Sequence, residues 1–338
     1  MKRILIAGGA GFLGSHLCER LVGRGHSVIC VDNFRTGHRR NVAHLLWHSR
    51  FRLLDQDIVK PLSLSGAIDE IYNLACPASP PHYQRDPRYT VMVNVLGVAN
   101  LIELARSKKA RLLQASTSEV YGDPLNEEQS ETDWGNVNCT GPRACYDEGK
   151  RCAETLLFDE WRQHDVPIKV ARIFNTYGPR MQEEDGRIIS NFITQCLMGQ
   201  PMTVYGDGSQ TRSFCYVDDL VDGLIRLMES SPSVTGPINL GNPEELSVLR
   251  VAHRVAALLG RKSRIEFKPL PTDDPRRRRP NITRAAAVLG WKPTTPLDAG
   301  LARTIAYFRD HLLAPAKGRE ALPLEKIVPI GAARAASA

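Results

Sequence analysis

Residues 5 to 14 read LIAGGAGFLG, an apolar run that breaks into glycines at 8, 11 and 14 before helical periodicity resumes. The glycines of such a strand-turn-helix passage let the backbone approach a pyrophosphate, which sits where the helix presents free N–H groups and the positive end of its dipole. The GxxGxxG spacing differs from the GxGxxG of the simplest dinucleotide site, but the physical demand is the same. Gly8, Gly11 and Gly14, with Phe12 and Leu13 between them, are therefore candidate cofactor contacts. Context strengthens them. Asp32 ends the next apolar run eighteen residues beyond Gly14, where a carboxylate can accept bonds from the adenosine ribose and repel a 2′-phosphate. NAD is favoured over NADP, although Arg35, Arg39 and Arg40 nearby leave the second reading open. Asn33, the pair Asp57-Ile58 at the adenine edge, and Ala75 complete the cofactor set, with a plain surface carboxylate as the alternative for Asp57.

Short apolar runs alternate with helical periodicity through the first half of the chain, the pattern of a doubly wound parallel sheet in an α/β protein. Strands are predicted at Arg3 to Ala7, Ser27 to Val31, Glu70 to Ala75, Arg111 to Ala115 and Ile168 to Ile173. A helix from Gly11 towards Arg24 should bury Phe12, Leu13, Leu17, Leu21 and Val22, and others should contain Val91 to Ser107 and Tyr146 to His164. After about residue 175 the pattern loosens. The expected organisation is a Rossmann-type domain over 1–175 to which later segments return, a smaller interleaved substrate domain over 176–313, and a mobile tail over 314–338.

At 338 residues with 42% hydrophobic content the chain can bury a large core, which excludes disordered and fibrous classes. The apolar stretch after Lys2 and Arg3 is too short for a secretion signal or a membrane span, so a cytoplasmic enzyme is expected. Eight cysteines lack CxxC pairs and zinc spacing, which points to reduced thiols and no metal. The net charge of +7 is spread along the chain without a nucleic-acid motif, so an anionic small substrate explains it more simply. Its one dense run, Arg276 to Arg279, is either a substrate site or a solvated cluster.

Tyr146 and Lys150 stand four apart on a predicted helix and project from one face. Thr117, Ser118 and Glu119 follow an apolar strand at the sheet edge where doubly wound folds place ligands. A phenol serves as a base near neutrality only if a cation favours its phenolate, and Lys150 is expected to supply it. Thr117 can hold the same substrate oxygen while a hydride leaves the alcohol carbon.

Further segments carry a family resemblance: CPASPPHYQ at 76–84, ASTSEVYGDP at 115–124, GPRACYDEGKR at 141–151, ARIFNTYGPRM at 171–181, DGR at 185–187, TVYGDGSQTRSF at 203–214, NLGNPEE at 239–245 and DDPRRRRP at 273–280. From Met1 to about Leu313 the chain resembles the extended short-chain dehydrogenase/reductases that modify nucleotide sugars, and within them the UDP-glucuronate decarboxylase family. The resemblance implies decarboxylation of UDP-glucuronate to UDP-xylose through a 4-keto intermediate, with NAD recycled internally. It makes Thr117, Tyr146 and Lys150 the alcohol-oxidising trio and Glu119 an additional catalytic carboxylate, with a structural ion pair as its alternative. It places Arg278 near the sugar carboxylate and diphosphate, Arg212 on the diphosphate, and Ser118 and Asn175 along the substrate. It also implies a homodimer joined through a four-helix bundle of the helices containing Val91 to Ser107 and Tyr146 to His164, in which Val95, Leu101, Leu104, Leu156 and Leu157 serve core or interface. Cys139-Thr140, Val98 and Asn281 depart from the family pattern, and none of them removes a catalytic group. The rival readings are an oxidative decarboxylase that releases a 4-keto pentose and NADH, a 4-epimerase or 4,6-dehydratase, and an NAD sensor without chemistry.

Overall fold

The computed structural model describes residues 1–262, 264–270 and 278–313. In chain order these form β1 (Arg3–Ala7), α1 (Phe12–Gly23), β2 (Ser27–Asp32), β3 (Phe51–Asp55), β4 (Glu70–Asn73), α2 (Pro80–Arg85), α3 (Pro87–Lys108), β5 (Arg111–Thr117), α4 (Ala144–His164) and β6 (Ile168–Ile173). There follow β7 (Thr176–Tyr177), α5 (Ile188–Leu197), β8 (Met202–Tyr205), β9 (Thr211–Ser213), β10 (Cys215–Tyr216), α6 (Val217–Glu229), β11 (Ile238–Leu240), β12 (Glu245–Ser247), α7 (Val248–Leu258), β13 (Ile265–Lys268), α8 (Thr283–Leu289) and α9 (Leu297–Leu313).

Seven strands pair in the order β11-β6-β5-β4-β1-β2-β3, every pair parallel. Alternate side chains leave a strand on opposite faces, and both faces are covered here. Ile4 and Ile6 pack into one core with Leu17 and Leu21 of α1 and Leu220 and Leu224 of α6. Leu5 and Ala7 pack into the other with Leu101 of α3 and Leu157 of α4. The chain runs from β1 outward to β2 and β3, then crosses back to β4 on the other side of β1. That reversal opens a crevice at the carboxyl ends of the strands.

Three expected strands differ in length: β2 continues to Asp32, β4 stops at Asn73, and β5 continues to Thr117. Two further strands of this sheet, β3 and β11, were not anticipated. α1 buries Leu17, Leu21 and Val22 as expected, but Phe12 and Leu13 are only half-buried and face the crevice. Val98, one of the family departures, lies in the core, and Asn281 accepts the Thr283 N–H at 3.0 Å just before α8. The tail over 314–338 and the first two arginines of the basic run, Arg276 and Arg277, lie outside the described residues. No helix among the described residues is long and apolar enough to cross a membrane.

Two helices beside the site are fixed by side-chain contacts. α3 starts where Asp86 accepts the Tyr89 N–H at 3.0 Å and Pro87 fills the first helical position. α4 is tied to the sheet by Glu154, which accepts from Ser116 at 2.5 Å in β5 and from Arg172 at 2.8 Å in β6. This buried, fully partnered carboxylate sets the rotation of α4 and so the direction in which Tyr146 and Lys150 point.

Candidate active site

The glycine turn is built for close approach. Gly8 adopts φ +75, and a Cβ on it would sit 2.8 Å from the Ala75 nitrogen, while a Cβ on Gly14 would sit 2.1 Å from the Gly8 carbonyl oxygen. Gly8 donates to the Val31 carbonyl at 2.8 Å and Gly11 to the Gly8 carbonyl at 3.1 Å, which aims the start of α1 into the crevice. Phe12 and Leu13 wall this part of the cleft, with Ala75 opposite.

Asp32, at the end of β2, lines the cleft with its carboxylate steadied by the Ala10 N–H at 2.9 Å and the Phe34 N–H at 2.8 Å. Burial pushes this carboxyl upward, and those two N–H groups hold it back. Asn33 donates to Asp57 at 2.8 Å and to the Tyr89 hydroxyl at 2.7 Å, and Tyr89 donates to Asp57 at 2.9 Å. Asp57 and Ile58 thus form a braced far wall. The three arginines that left NADP open each have a carboxylate partner: Arg35 with Asp86 at 2.5 Å, Arg39 with Asp55 at 2.6 Å, and Arg40 with Glu183 at 3.3 Å. A glycine cradle that any Cβ would fill, followed by a buried carboxylate on the ribose side, fits NAD. Gly8, Gly11, Gly14, Asp32, Asn33, Asp57 and Ile58 would hold it.

Thr117, Ser118, Glu119, Tyr146, Lys150 and Asn175 all line the same cleft. Tyr146 is hydrogen-bonded to Thr117, and burial, followed by the neighbouring Cys76 thiol, pushes its phenol up. Lys150 stands to one side of this phenol. Its Nζ donates to the Ala115 carbonyl at 2.9 Å and stands 5.8 Å from the Tyr146 ring centre, with burial pulling its own pKa down. The Thr117 hydrogen bond and the charge of Arg187 both favour the phenolate. In the protein alone, then, Tyr146 is held as a neutral phenol.

Arg278 and Arg212 do not line this cleft. Arg278, which is buried, reaches it through the residues that do: it donates to Ser118 Oγ at 3.0 Å and to Glu119 Oε2 at 2.6 Å. Arg212 is buried in β9, donating to the Thr211 carbonyl at 2.8 Å. Asn175 follows β6 and accepts the Cys215 N–H through its carbonyl at 2.9 Å.

Sequence reasoning missed two contributors. Arg143 donates to the same Glu119 Oε2 at 2.6 Å, so one carboxylate oxygen serves two guanidinium groups. Burial opposes ionisation of Glu119, but Arg278 and Arg143 outweigh it and hold the carboxyl below the ordinary range. Tyr83 of α2 lies parallel to Tyr146, ring centroids 5.1 Å apart and planes at 6°, and fixes the phenol from behind. Both residues fall inside segments that carry the resemblance. The sequence offered no other signal for them.

Comparison with known proteins places this geometry. Residues 4–241 match the model of the NAD dependent epimerase/dehydratase family. The chain is 53% identical over 311 residues to UDP-glucuronic acid decarboxylase 1 of Danio rerio, covering 92% of this chain and 73% of that one. It is 51% identical over 314 residues to UDP-glucuronic acid decarboxylase 3 of Arabidopsis thaliana, covering 93% and 91%. Among solved structures, it superposes with TM-score 0.82 on a Bacillus cereus UDP-glucuronic acid 4-epimerase in complex with UDP-glucuronic acid and NAD, at 28% identity over 91% of this chain and 99% of that one.

Proposed function

Because the chain belongs to the NAD dependent epimerase/dehydratase family, we propose that it is a carboxy-lyase that converts UDP-glucuronate to UDP-xylose through a 4-keto intermediate, with NAD restored in each cycle. The observation that carries this reading lies at the end of β5 and the turn that follows it. There Thr117, bonded to Tyr146, is followed by Glu119, ion-paired with Arg278. An alcohol-oxidising pair therefore adjoins a carboxylate-arginine pair. The names of the relatives at 51 to 53% identity point to the same substrate.

Loss of CO2 from glucuronate strands an electron pair on C5. A ketone at C4 turns the acid into a β-keto acid, and the pair then delocalises onto the C4 oxygen. Bound NAD supplies the hydride acceptor for C4, and later the donor, together with a positively charged ring. In this reading Tyr146, ionised beside that positively charged ring, takes the C4 hydroxyl proton, and Tyr146 with Thr117 stabilises the C4 oxygen as charge develops. Lys150, anchored on Ala115, fixes the helix face that presents the phenol. Arg278 orients the sugar carboxylate through its fork of donors, Arg212 serves the diphosphate, and Ser118 and Asn175 line the sugar. Glu119 carries a proton to C5.

The reading assigns NAD binding to residues 1–175 and nucleotide-sugar binding mainly to 176–313, in a reducing, cytoplasmic setting in keeping with eight free thiols. It includes a homodimer through α3 and α4. Leu101, Leu104 and Leu157 are spent on the protomer's own core, but Val91, Met92, Leu96 and Trp161 stay exposed on these two helices, with Val95 and Leu156 half-buried beside them. Light scattering at micromolar concentration should give twice the chain mass, and a monomer would remove this part. The function itself is tested by incubating purified protein with carboxyl-labelled UDP-glucuronate. Labelled CO2 is expected, and its absence with NAD bound would overturn the reading.

A further inference from the structure

Glu119 presents a chemical difficulty for the reaction. Two arginines hold it ionised, so at neutral pH it carries no proton of its own to give to C5. A second carboxyl group, Asp147, is buried, feels the charge of Glu119 and is raised towards neutrality. Asp147, in the first turn of α4, donates its backbone N–H to the Arg143 carbonyl at 3.1 Å, and Arg143 in turn grips Glu119 at 2.6 Å. Its side chain is 93% withdrawn from solvent, being 7% exposed, and Oδ1 is sealed without a hydrogen-bond partner. The hydroxyl of Tyr83, 1% exposed, is sealed in the same way, on the ring that stacks against Tyr146. Orphaned polar atoms are rare in folded proteins, and these two lie on adjoining elements, α2 and α4.

Resting on the decarboxylase reading, we propose that Asp147 is a positioning residue that acts through Glu119, as the reservoir for the proton added at C5, with the Tyr83 hydroxyl and a water completing the path. The Asp147 O–H bond breaks as its proton passes to the Glu119 carboxylate. The electron pair of the enolate then takes that proton from Glu119 to form the new C5–H bond, and the C4 oxygen returns to a ketone. Asp147, now a carboxylate, takes a proton from solvent before the next turnover. One proton is consumed for each CO2 lost. The electrostatics agree: burial, then the charge of Glu119, raises the Asp147 carboxyl to about 7 against the opposing pull of Arg143 and Arg278. Glu148, Tyr83 and Cys145 are the other titratable groups that face it.

The test uses NAD-loaded protein and UDP-glucuronate under rapid mixing, following first-turnover reduction of the nicotinamide by absorbance and pentose formation by quench. The wild type is measured first: absence of CO2 would reject the decarboxylase reading itself, not this proposal alone. In Asp147→Asn, nicotinamide reduction should keep its wild-type rate while pentose forms at least about tenfold more slowly. The wild-type fall in pentose formation as pH rises through about 7 should also vanish. Tyr83→Phe, which removes one oxygen and keeps the stack, should slow the same step, and it decides the matter if the Asn variant does not fold. Unchanged pentose formation with the pH limb intact would overturn the proposal. So would equal slowing of both steps, which marks a structural role.

Discussion

The rings of Tyr83 and Tyr146 lie parallel, 5.1 Å between centroids and 6° between planes, with Thr117 bonded to Tyr146. The stack holds the ring and the hydrogen bond holds the oxygen, so the two can be separated by substitution. Tyr146→Phe preserves the stack and removes only the group that accepts the proton. Turnover should fall by at least about two orders of magnitude, with NAD affinity by titration unchanged. Retention of more than about a tenth of the activity would remove Tyr146 from the base role.

Asp32 binds the glycine turn to the strand through the Ala10 and Phe34 N–H groups, and it lines the cleft. Asp32→Ala leaves both donors without that acceptor, at about 1 kcal/mol or more each if they stay buried. NAD should bind about tenfold or more weakly, and the preference for NAD over NADP should shrink. Calorimetric titration with the two cofactors measures both effects, and an unchanged ratio would take Asp32 away from the ribose.

Much of this was legible beforehand. The limits of β1 and β6 agree residue for residue with the strands read from the sequence, because parallel strands inside the sheet bury apolar side chains on both faces, and β6 keeps that pattern around its partnered Lys169 and Arg172. β3 escaped because an edge strand tolerates exposure: Arg52 and Asp55 interrupt its apolar pattern. β11 is three residues long and joins β6 from far along the chain, beyond the reach of periodicity. The site divides in the same way. Tyr146 and Lys150 are fixed by one helix turn, whereas the Arg143–Glu119 pair spans 24 positions and the Arg278–Glu119 pair 159, and no local pattern encodes either. The distance of Lys150 from the phenol is likewise set from outside that turn, by the Ala115 carbonyl that captures it.

Glycine positions give a paired test of the cofactor cradle. Gly14→Ala would set a methyl group 2.1 Å from the Gly8 carbonyl oxygen, whereas Gly23→Ala meets nothing within 4 Å. The first should abolish NAD binding or the fold. The second should be neutral, or raise Tm through better helix propensity. Equal behaviour of the two variants in a thermal melt with NAD titration would contradict the close approach.

His16 provides a pH dependence with a definite sign. Burial, then Arg180, depresses it from 6.5 to about 4, and its Nε2 meets the Pro179 carbonyl at 2.9 Å. Below pH 6.5 the unfolded chain takes up a proton that the folded protein refuses, so stability should fall as pH drops from 6.5 towards about 4. Tm across that interval should decline less in His16→Gln, which can keep the donor to Pro179. Identical slopes would assign the acid sensitivity elsewhere.

The central claim, decarboxylation with the hydride returned to its own carbon, is tested most directly with UDP-glucuronate deuterated at C4. The pentose product should retain that deuterium at C4, CO2 should appear in equal amount, and net NADH should stay near zero. Run with unlabelled substrate in heavy water, the same assay should place solvent deuterium at C5. Accumulation of a 4-keto pentose with one NADH for each CO2, seen by NMR and absorbance, would contradict the account and make the protein an oxidative decarboxylase.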